Sequence, residues 1–393
     1  MWVRGVAVVV GLMWGLAPAA GADVFCKTKK GAVKVRAACK SKETQLNLAD
    51  FGAAGPPGEP GADGADGQLR IFGDGSAGAK TVAASETWVD ETAPTNLQFT
   101  DVTVNSGVTL TVPSGTVIRC TGTFTNNGMV LVQTGAQGAF VTTSPLLGTT
   151  RGGVHVEGES GISVRAAQSG EFGDDTADRR AGVGGQGLSA EEARTILNPG
   201  VKAGGGGGAG GSDAFIGSFN GGSAGGGSLV VLCQGAVTNL GTITADGDDS
   251  IFDFGGPPIV SGGGGGGGGV VVLASKTSVT NGATGTIQAR GGAGQDSDTN
   301  EGPAGGGGGG IVHLLAPVVS AVGAADVTGG LAGVQGAAAS VTLSPRGGGG
   351  GGGGSGGTGG AGGGVDTADD PGTATDGTPG FVLTTTADPS ALF

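Results

Sequence analysis

The sequence predicts an all-β fold, a parallel β-helix or β-solenoid-like body with interleaved polyglycine runs. A unit made of a short apolar run, an Asn-Gly style turn and a second β-rich run recurs from Ser228, Val270 and Ile311, and an earlier copy starts at Val117. The later copies are about 41 residues apart, and fixed periods of this size are typical of solenoids. Each unit is too small to bury its apolar strand alone, so neighbouring units must stack to form a core.

Alternating hydrophobicity supports the same fold class. Residues 99–118 alternate apolar side chains with Thr or other polar residues, and Asn-Ser-Gly and Pro-Ser-Gly triplets interrupt them. A period of two that is punctuated by tight turns predicts short, half-buried strands. Further strands are predicted at residues 129–133, 153–156 and 162–166.

Glycine content is the third observation, because the chain contains 93 glycines and no tyrosine. Four runs stand out, at residues 204–208, 262–269, 305–310 and 347–354. The second and third runs directly precede apolar strands. Eight glycines in a three-fold extended helix span roughly 25 Å, and such runs can pack backbone to backbone with sideways hydrogen bonds. The alternative interpretation, exposed glycine loops, stays open from sequence alone.

One short helix is predicted at residues 188–197. Ser189 and Glu192 have the spacing of a capping box, and Asn198-Pro199-Gly200 ends the helical pattern. We expect this helix to cover an open end or face of the strand stack.

The first 22 residues predict a secretory signal peptide. Arg4 supplies the positive end, residues 5–16 the apolar run and residues 20–22 the small-residue cleavage site. The apolar run is too short to cross a membrane, and no second candidate span occurs. We therefore expect a secreted, extracellular protein, either free or associated with the cell surface.

Export permits disulfides, and the chain has four cysteines. We predict a Cys26–Cys39 bridge that staples a small hairpin around the turn at Lys30-Gly31. Cys120 and Cys233 occupy the same position of two repeat units, so stacking of these units predicts a Cys120–Cys233 bridge, with two separate buried thiols as the alternative.

These features divide the chain into five segments. They are a signal peptide (1–22), a Cys-pair head module (23–50), a collagen-like tract (51–69), a linker (70–86) and the glycine-rich β-solenoid-like domain (87–393). The tract consists of five Gly-X-Y triplets, a period that triple helices require because only glycine fits their axis. It forms either a triple helix or a flexible connector.

The order of the head motifs resembles the head of bacterial collagen-like exported surface proteins. The matching residues are Cys26-Lys27, Gly31-x-Val33-x-Val35, Cys39-Lys40-x-x-Glu43-Thr44-x-Leu46 and Gly55-Pro56-Pro57-Gly58. The resemblance covers residues 23–67 and implies a structural protein, trimeric through the tract, without chemistry of its own. The glycine-rich body resembles, in composition only, glycine-rich β-solenoid surface proteins and phage tail-fibre adhesins.

No set of side chains predicts catalysis, so we assign no catalytic or cofactor-binding residue. His155 and His313 are the two histidines available as bases, and His313 lies in an apolar run. Asp296, Asp298 and Asn300 are incomplete matches to calcium-binding loops. Solvated acidic loops are the alternative for the calcium candidates.

The charge distribution bears on partners. Residues 23–50 carry seven basic and three acidic side chains, whereas the rest of the chain is strongly acidic. An acidic body argues against nucleic-acid binding. The sequence therefore predicts a surface or matrix protein that displays loops for adhesion to glycans or proteins. The alternative is a carbohydrate-active β-helix enzyme of the polysaccharide lyase or glycosidase kind.

Overall fold

The computed structural model divides the chain into two compact units, Met1–Gln68 and Leu69–Phe393, and each is described by itself. The residues that it describes are 24–46, 71–88, 94–142, 154–171, 180–211, 221–250, 261–297, 301–335, 349–365 and 372–393. The predicted signal peptide (1–22) and collagen-like tract (51–69) lie outside them.

The first unit contains a three-stranded antiparallel sheet in the order β2-β1-β3. Its strands are β1 (Val24–Thr28), β2 (Val33–Arg36) and β3 (Glu43–Gln45). The first two form the predicted hairpin, and Gly31 at its turn has a φ of 85°. A disulfide joins Cys26 to Cys39, whose Cα atoms are 5.5 Å apart. The third strand was not predicted, because it lacks an apolar alternation.

The second unit is built on three six-stranded sheets whose neighbouring strands are all parallel. Sheet I contains β4 (Lys80–Val82), β7 (Val102–Val104), β10 (Phe124–Asn126), β15 (Val237–Asn239), β18 (Ser278–Asn281) and β21 (Val318–Ala321). Sheet II contains β5 (Glu86–Thr87), β8 (Thr109–Val112), β11 (Met129–Val132), β16 (Thr242–Thr244), β19 (Thr286–Gln288) and β22 (Ala324–Asp326). Sheet III contains β6 (Gln98–Phe99), β9 (Thr116–Cys120), β14 (Ser228–Cys233), β17 (Val270–Ser275), β20 (Ile311–Leu315) and β23 (Phe381–Thr385).

The chain visits the three sheets in turn, so each circuit adds one coil to a β-solenoid. Equivalent residues of the repeat lie side by side: Val230 pairs with Val117 and with Val272. The all-β, solenoid-like prediction is thereby confirmed. The predicted linker at residues 70–86 is wrong, because β4 and β5 already belong to the first coil and pair with β7 and β8.

A ladder of buried asparagines runs along the corner between sheets I and II. The Asn126 amide donates to Asn239 at 2.8 Å, and the Asn239 amide donates to Asn281 at the same distance. All three side chains are buried. Since a buried amide without a partner is costly, the ladder fixes the register of successive coils.

From the third coil onward, the chain leaves the solenoid between sheets II and III and returns through glycine-rich segments. Fourteen such extended passes occur in the described part of the chain: 133–142, 154–162, 163–171, 180–188, 203–211, 221–227, 245–250, 261–269, 289–297, 301–310, 327–335, 349–356, 357–365 and 372–380. We call them the glycine bundle. Two of the passes also pair as short strands, β12 (Phe140–Thr142) with β13 (Val154–Val156).

The pass at residues 261–269 shows how the bundle is held. Its N–H groups donate to three neighbouring passes, and its carbonyl groups accept from three others. The donated bonds are Gly262, Gly265 and Gly268 to 301–310, Gly264 and Gly267 to 203–211, and Gly266 and Gly269 to 245–250; the accepted bonds come from Ser223, Gly226, Gly292, Gln295, Gly350 and Gly353. Every third residue thus faces the same neighbour, as a three-residue helical turn requires. The predicted sideways bonding of the glycine runs is confirmed.

The described residues of the four glycine runs lie inside the bundle, where each run contacts six neighbouring passes. A side chain there would overlap backbone: a Cβ on Gly307 would meet the carbonyl oxygen of Gly266. Outer passes carry a side chain at every third residue, as at Thr328, Leu331 and Val334. Pure glycine therefore marks the interior passes, and Gly-rich triplets mark the periphery.

Three neighbouring strands of sheet III, β14, β17 and β20, are buried on both faces. One face lines the solenoid core, and the other packs against α1 (Ala190–Thr195), the residues that follow it and the C-terminal segment. Ser189 and Glu192 form the predicted capping box of α1. The strand predicted at residues 162–166 is wrong, because this segment is a turn between two passes with a single bridge at Arg165.

The predicted Cys120–Cys233 bridge is not formed. The two residues are neighbours in register, which confirms the stacking, but both are free and buried. In-register residues of parallel strands point the same way, so their Cβ atoms stay about 4.8 Å apart, whereas disulfides need about 3.8 Å. Burial, followed by the hydrogen bond with Cys120, raises the pKa of Cys233 well above its usual value.

We predict that Asn239→Ala lowers the free energy of unfolding of the second unit by about 2–4 kcal/mol, because it leaves the Asn126 donor and the Asn281 acceptor buried and short of a partner. Urea unfolding followed by circular dichroism measures this change. The control is Asn127→Ala, at a half-buried position next to the ladder. Equal losses in both variants would show that the ladder adds nothing to stability.

We further predict that Gly307→Ala destabilises the bundle by about 3 kcal/mol or more, because the added methyl group must displace the backbone of a neighbouring pass. Gly372→Ala is the matched control, since the nearest atom to its Cβ would be 3.6 Å away. Thermal unfolding of both variants measures the difference. A Gly307→Ala protein as stable as the control would contradict close packing of the interior passes.

Candidate functional site

The candidate site is the end of the glycine bundle that lies away from the solenoid strands, which we call the distal end. The passes meet there in pairs, and each pair joins through one of seven segments outside the described residues. The flanking positions are 142 and 154, 171 and 180, 211 and 221, 250 and 261, 297 and 301, 335 and 349, and 365 and 372. The seven connecting segments therefore all begin and end at the same end of the bundle.

Backbone hydrogen bonds join several of these positions, or their immediate neighbours, to one another. Bonds that join them include Gly262 to Gly302, Gly350 to Gly262, Gly349 to Gly363, Gly372 to Gly364, Gly182 to Gly349, Glu171 to Arg180, and Ser297 to Val334. A pass of eight residues rises roughly 25 Å. The distal end is thus held about that far from sheet III by a lattice of backbone bonds.

Polar side chains at the distal end mainly serve the backbone of neighbouring passes. The Ser169 hydroxyl accepts from the Ala209 N–H at 3.1 Å, and the Glu171 carboxylate accepts from the Arg180 N–H at 3.2 Å. The buried Gln295 side chain accepts from Gly263 at 3.2 Å. These bonds hold the rim of the distal end in place.

Aspartates have a related role on the outer passes, where one N–H in three faces away from the bundle. A carboxylate from the adjacent pass accepts such an N–H. The pairs are Asp246 with Arg290 (2.7 Å), Asp249 with Ala293 (2.6 Å), Asp296 with Val334 (2.8 Å) and Asp376 with Ala332 (2.7 Å). These four aspartates therefore satisfy backbone donors that have no glycine pass opposite them.

The structure describes one of the three calcium candidates. Asp296 lies at the distal end and accepts the Val334 N–H, while Asp298 and Asn300 lie outside the described residues. Among the described residues, no three His, Cys, Asp or Glu side chains are placed to hold a metal ion. Of the three calcium candidates, the structure thus describes Asp296 alone, and its carboxylate accepts a backbone N–H.

A groove of about 430 Å³ lies on the side of the bundle, between three outer passes. Asp246, Asp248 and Asp249 line one wall and Arg290 the next. The Arg290 guanidinium binds the Asp246 carboxylate at 2.7 Å. Burial, followed by the charge of Asp249, raises the pKa of Asp248. This is the acidic groove.

His313 is a structural residue on the outer face of sheet III. It is buried, and its Nε2 lies 2.8 Å from the Thr385 hydroxyl. Burial, followed by the charge of Arg194, lowers the pKa of His313 to about 4. It faces the packed layer under α1 rather than the distal end. The side chain of His155 is not among those that the structure describes.

Comparison with other proteins gives no relative to argue from. No protein-family model matches the chain, and no similar protein was found among curated proteins or among solved structures. Within the described residues, no helix has the length and apolar character that crossing a membrane requires.

Sequence reasoning missed that the aspartates of the outer passes and the glycine runs belong to one structure. The signal was present, since Asp246, Asp249, Asp296 and Asp376 all lie in glycine-rich segments that follow or precede a strand. This signal was not recognised because the N–H group that each aspartate accepts is about 40 residues away in sequence. Only the coil period brings the carboxylate and its donor together.

We predict that stability falls between pH 6.5 and pH 4 partly through His313. Its folded-state pKa of about 4 lies below the unfolded value, so the unfolded state binds the proton first as the pH falls. The loss reaches up to about 3 kcal/mol at pH 4. Urea titrations of wild type and His313→Gln measure it, and the same pH slope in both proteins would contradict the assignment.

Proposed function

We propose that the protein is an exported, non-catalytic surface or matrix protein whose distal end binds a glycan or a protein. The observation that carries the proposal is the convergence of seven connecting segments at one end of the bundle. The passes themselves are built largely of glycine, whereas the connecting segments vary in composition. Residues 251–260, for example, read Ile-Phe-Asp-Phe-Gly-Gly-Pro-Pro-Ile-Val. Binding residues are commonly found on loops that a rigid scaffold positions.

The architecture suits such a role physically. The interior passes have no side chains to vary, so a recognition surface is confined to the periphery and the ends. A bundle held by backbone bonds from six neighbours positions its distal end without the ordering cost that a free loop incurs on binding. The disulfide in the first unit is compatible with an oxidising, extracellular location.

We also propose that three copies assemble through the collagen-like tract at residues 51–69. Its support is the strict glycine period with Pro-Pro and Glu-Pro triplets, which is typical of a triple helix. Because five triplets are few, another part of the chain must help the three copies to associate. Assembly of this kind raises the apparent affinity of a surface-binding protein through multivalency.

The second candidate function is cleavage of a polysaccharide, and the acidic groove favours it. Paired carboxylates with unequal pKa values are the usual requirement for glycoside hydrolysis. Asp248 has a raised pKa, and Asp249 lies beside it. Asp249 and Asp246, however, are occupied by backbone N–H groups of the next pass. We therefore rank this function second.

We predict that replacing residues 251–260 with a Gly-Ser segment of equal length lowers binding at least about tenfold, because the removed side chains include apolar anchors of the kind that dominate interfaces. Binding is measured on an array of immobilised neutral and acidic polysaccharides and matrix proteins. Thermal unfolding should remain unchanged. The control is Met129→Ser with Leu131→Ser, which alters exposed side chains on the solenoid.

Two results would contradict the binding function. The first is equal binding by the segment variant and the control. The second is turnover of a polysaccharide that Asp248→Asn abolishes, which would replace adhesion by catalysis in the acidic groove.

A further inference from the structure

The sheet of the first unit has one covered face and one bare face. On the covered face, Cys26 is fully buried by its disulfide to Cys39, and Arg36 forms an ion pair with Glu43 at 3.2 Å. The loop between β2 and β3 lies over this side. The residues that alternate with these point to the opposite face, since successive side chains of a strand point to opposite sides.

The bare face has an apolar row with Lys27 and Thr44 beside it. Phe25 pairs with Val35 on β2, and the Leu46 N–H donates to the Phe25 carbonyl, so the three side chains form a row across the sheet. Val33 lies next to this row and pairs with Lys27. Phe25, Val33 and Val35 are 39%, 49% and 57% exposed. We call Phe25, Val33, Val35 and Leu46 the head face.

Within the described residues of this unit, nothing covers the head face. A small sheet is stable when one of its faces packs against another layer. The covered face here packs only against one short loop and a disulfide, which is a small core for an isolated module. The apolar row on the other side is therefore suited to packing against a further layer of protein.

The sequence that follows indicates what this layer is. The first glycine of the collagen-like tract is Gly52, so five residues separate it from Leu46. A linker of five residues spans at most about 18 Å. A triple helix that starts at Gly52 thus holds three copies of the sheet close together, at high effective concentration.

We propose that the head face is the contact surface between three copies of this chain and that it nucleates the collagen-like tract. This inference rests on the proposed trimer and names the surface that the short tract needs. Packing three head faces around one axis removes Phe25 and Val35 from water in every copy. The tract in turn supplies the parallel alignment of the three chains.

The charge of the module adds a distinctive property. Lys27 borders the head face, and its methylene groups can extend along the apolar row while the ammonium group stays in water. Three copies bring like charges together at the rim. Salt screens this repulsion, so the trimer should strengthen as the salt concentration rises. Binding of the same lysines to an anionic surface would weaken instead.

The test is sedimentation velocity on the secreted chain, at several concentrations and at low and high salt. We expect wild type to be a trimer whose dissociation midpoint moves to lower protein concentration in high salt. Phe25→Ser with Val35→Ser should raise that midpoint at least about tenfold. The matched control is Val318→Ser with Val322→Ser, since these valines of the second unit are 61% and 72% exposed. It should leave the midpoint unchanged.

Peptide mapping checks that the Cys26–Cys39 disulfide persists in the double variant, so that loss of the trimer reports the head face rather than misfolding. A wild-type monomer would overturn both the trimer and this inference. A trimer that the Phe25→Ser, Val35→Ser variant retains would overturn the head face alone. Monomers that bind vesicles containing an anionic lipid through Phe25 and Val35 would assign the face to a membrane surface and would also overturn it.

Discussion

The requirement that every buried backbone amide has a partner governs the second unit. In a sheet, successive residues of a strand bond alternately to the two neighbouring strands, which lie in one plane. In the glycine bundle, successive residues bond in three directions, so that an interior pass needs six neighbours. This arrangement brings backbones so close together that a Cβ has no space, as at Gly307. The glycine runs are thus required by backbone hydrogen bonding, and their flexibility is suppressed by it.

The β-solenoid makes this bundle possible. Residues 261–269 continue directly into β17, and residues 301–310 continue into β20, so these strands of sheet III fix the ends of the passes that precede them. Parallel strands lie about 4.8 Å apart, and the passes inherit this layer spacing. The buried asparagine ladder holds the same register on the opposite side of the coil. A bundle of glycine alone has no such register, and ordering so many glycines is entropically costly.

Much of this fold follows from the sequence because the repeat is visible as a pattern. The unit at Ser228 and the unit at Val270 align without gaps as far as Asn239 and Asn281, and their strands pair residue by residue. The second unit then has two extra residues before β19 pairs with β16. The excursion between β11 and β14 could not be predicted in this way, because its passes have a period of three with few side chains to show it. The role of Asp249 was missed because its partner Ala293 is distant in sequence.

The weak side-chain pattern of the passes also explains why a turn at Arg165 was predicted as a strand. The Cys120 and Cys233 positions were predicted from stacking, but bonding depends on Cβ directions, which an alignment of repeats does not contain.

The division between backbone and side chain has a functional consequence. In the interior passes, almost any substitution of glycine collides with a neighbouring carbonyl, so sequence change is excluded there. In the outer passes, one residue in three faces outward, and at the distal end the connecting segments need only join positions that the lattice already holds. Variation in length or composition at these joins leaves the hydrogen bonds of the bundle intact. For the binding function proposed above, an interior that excludes substitution would let the recognition surface at the distal end change while the fold stays the same.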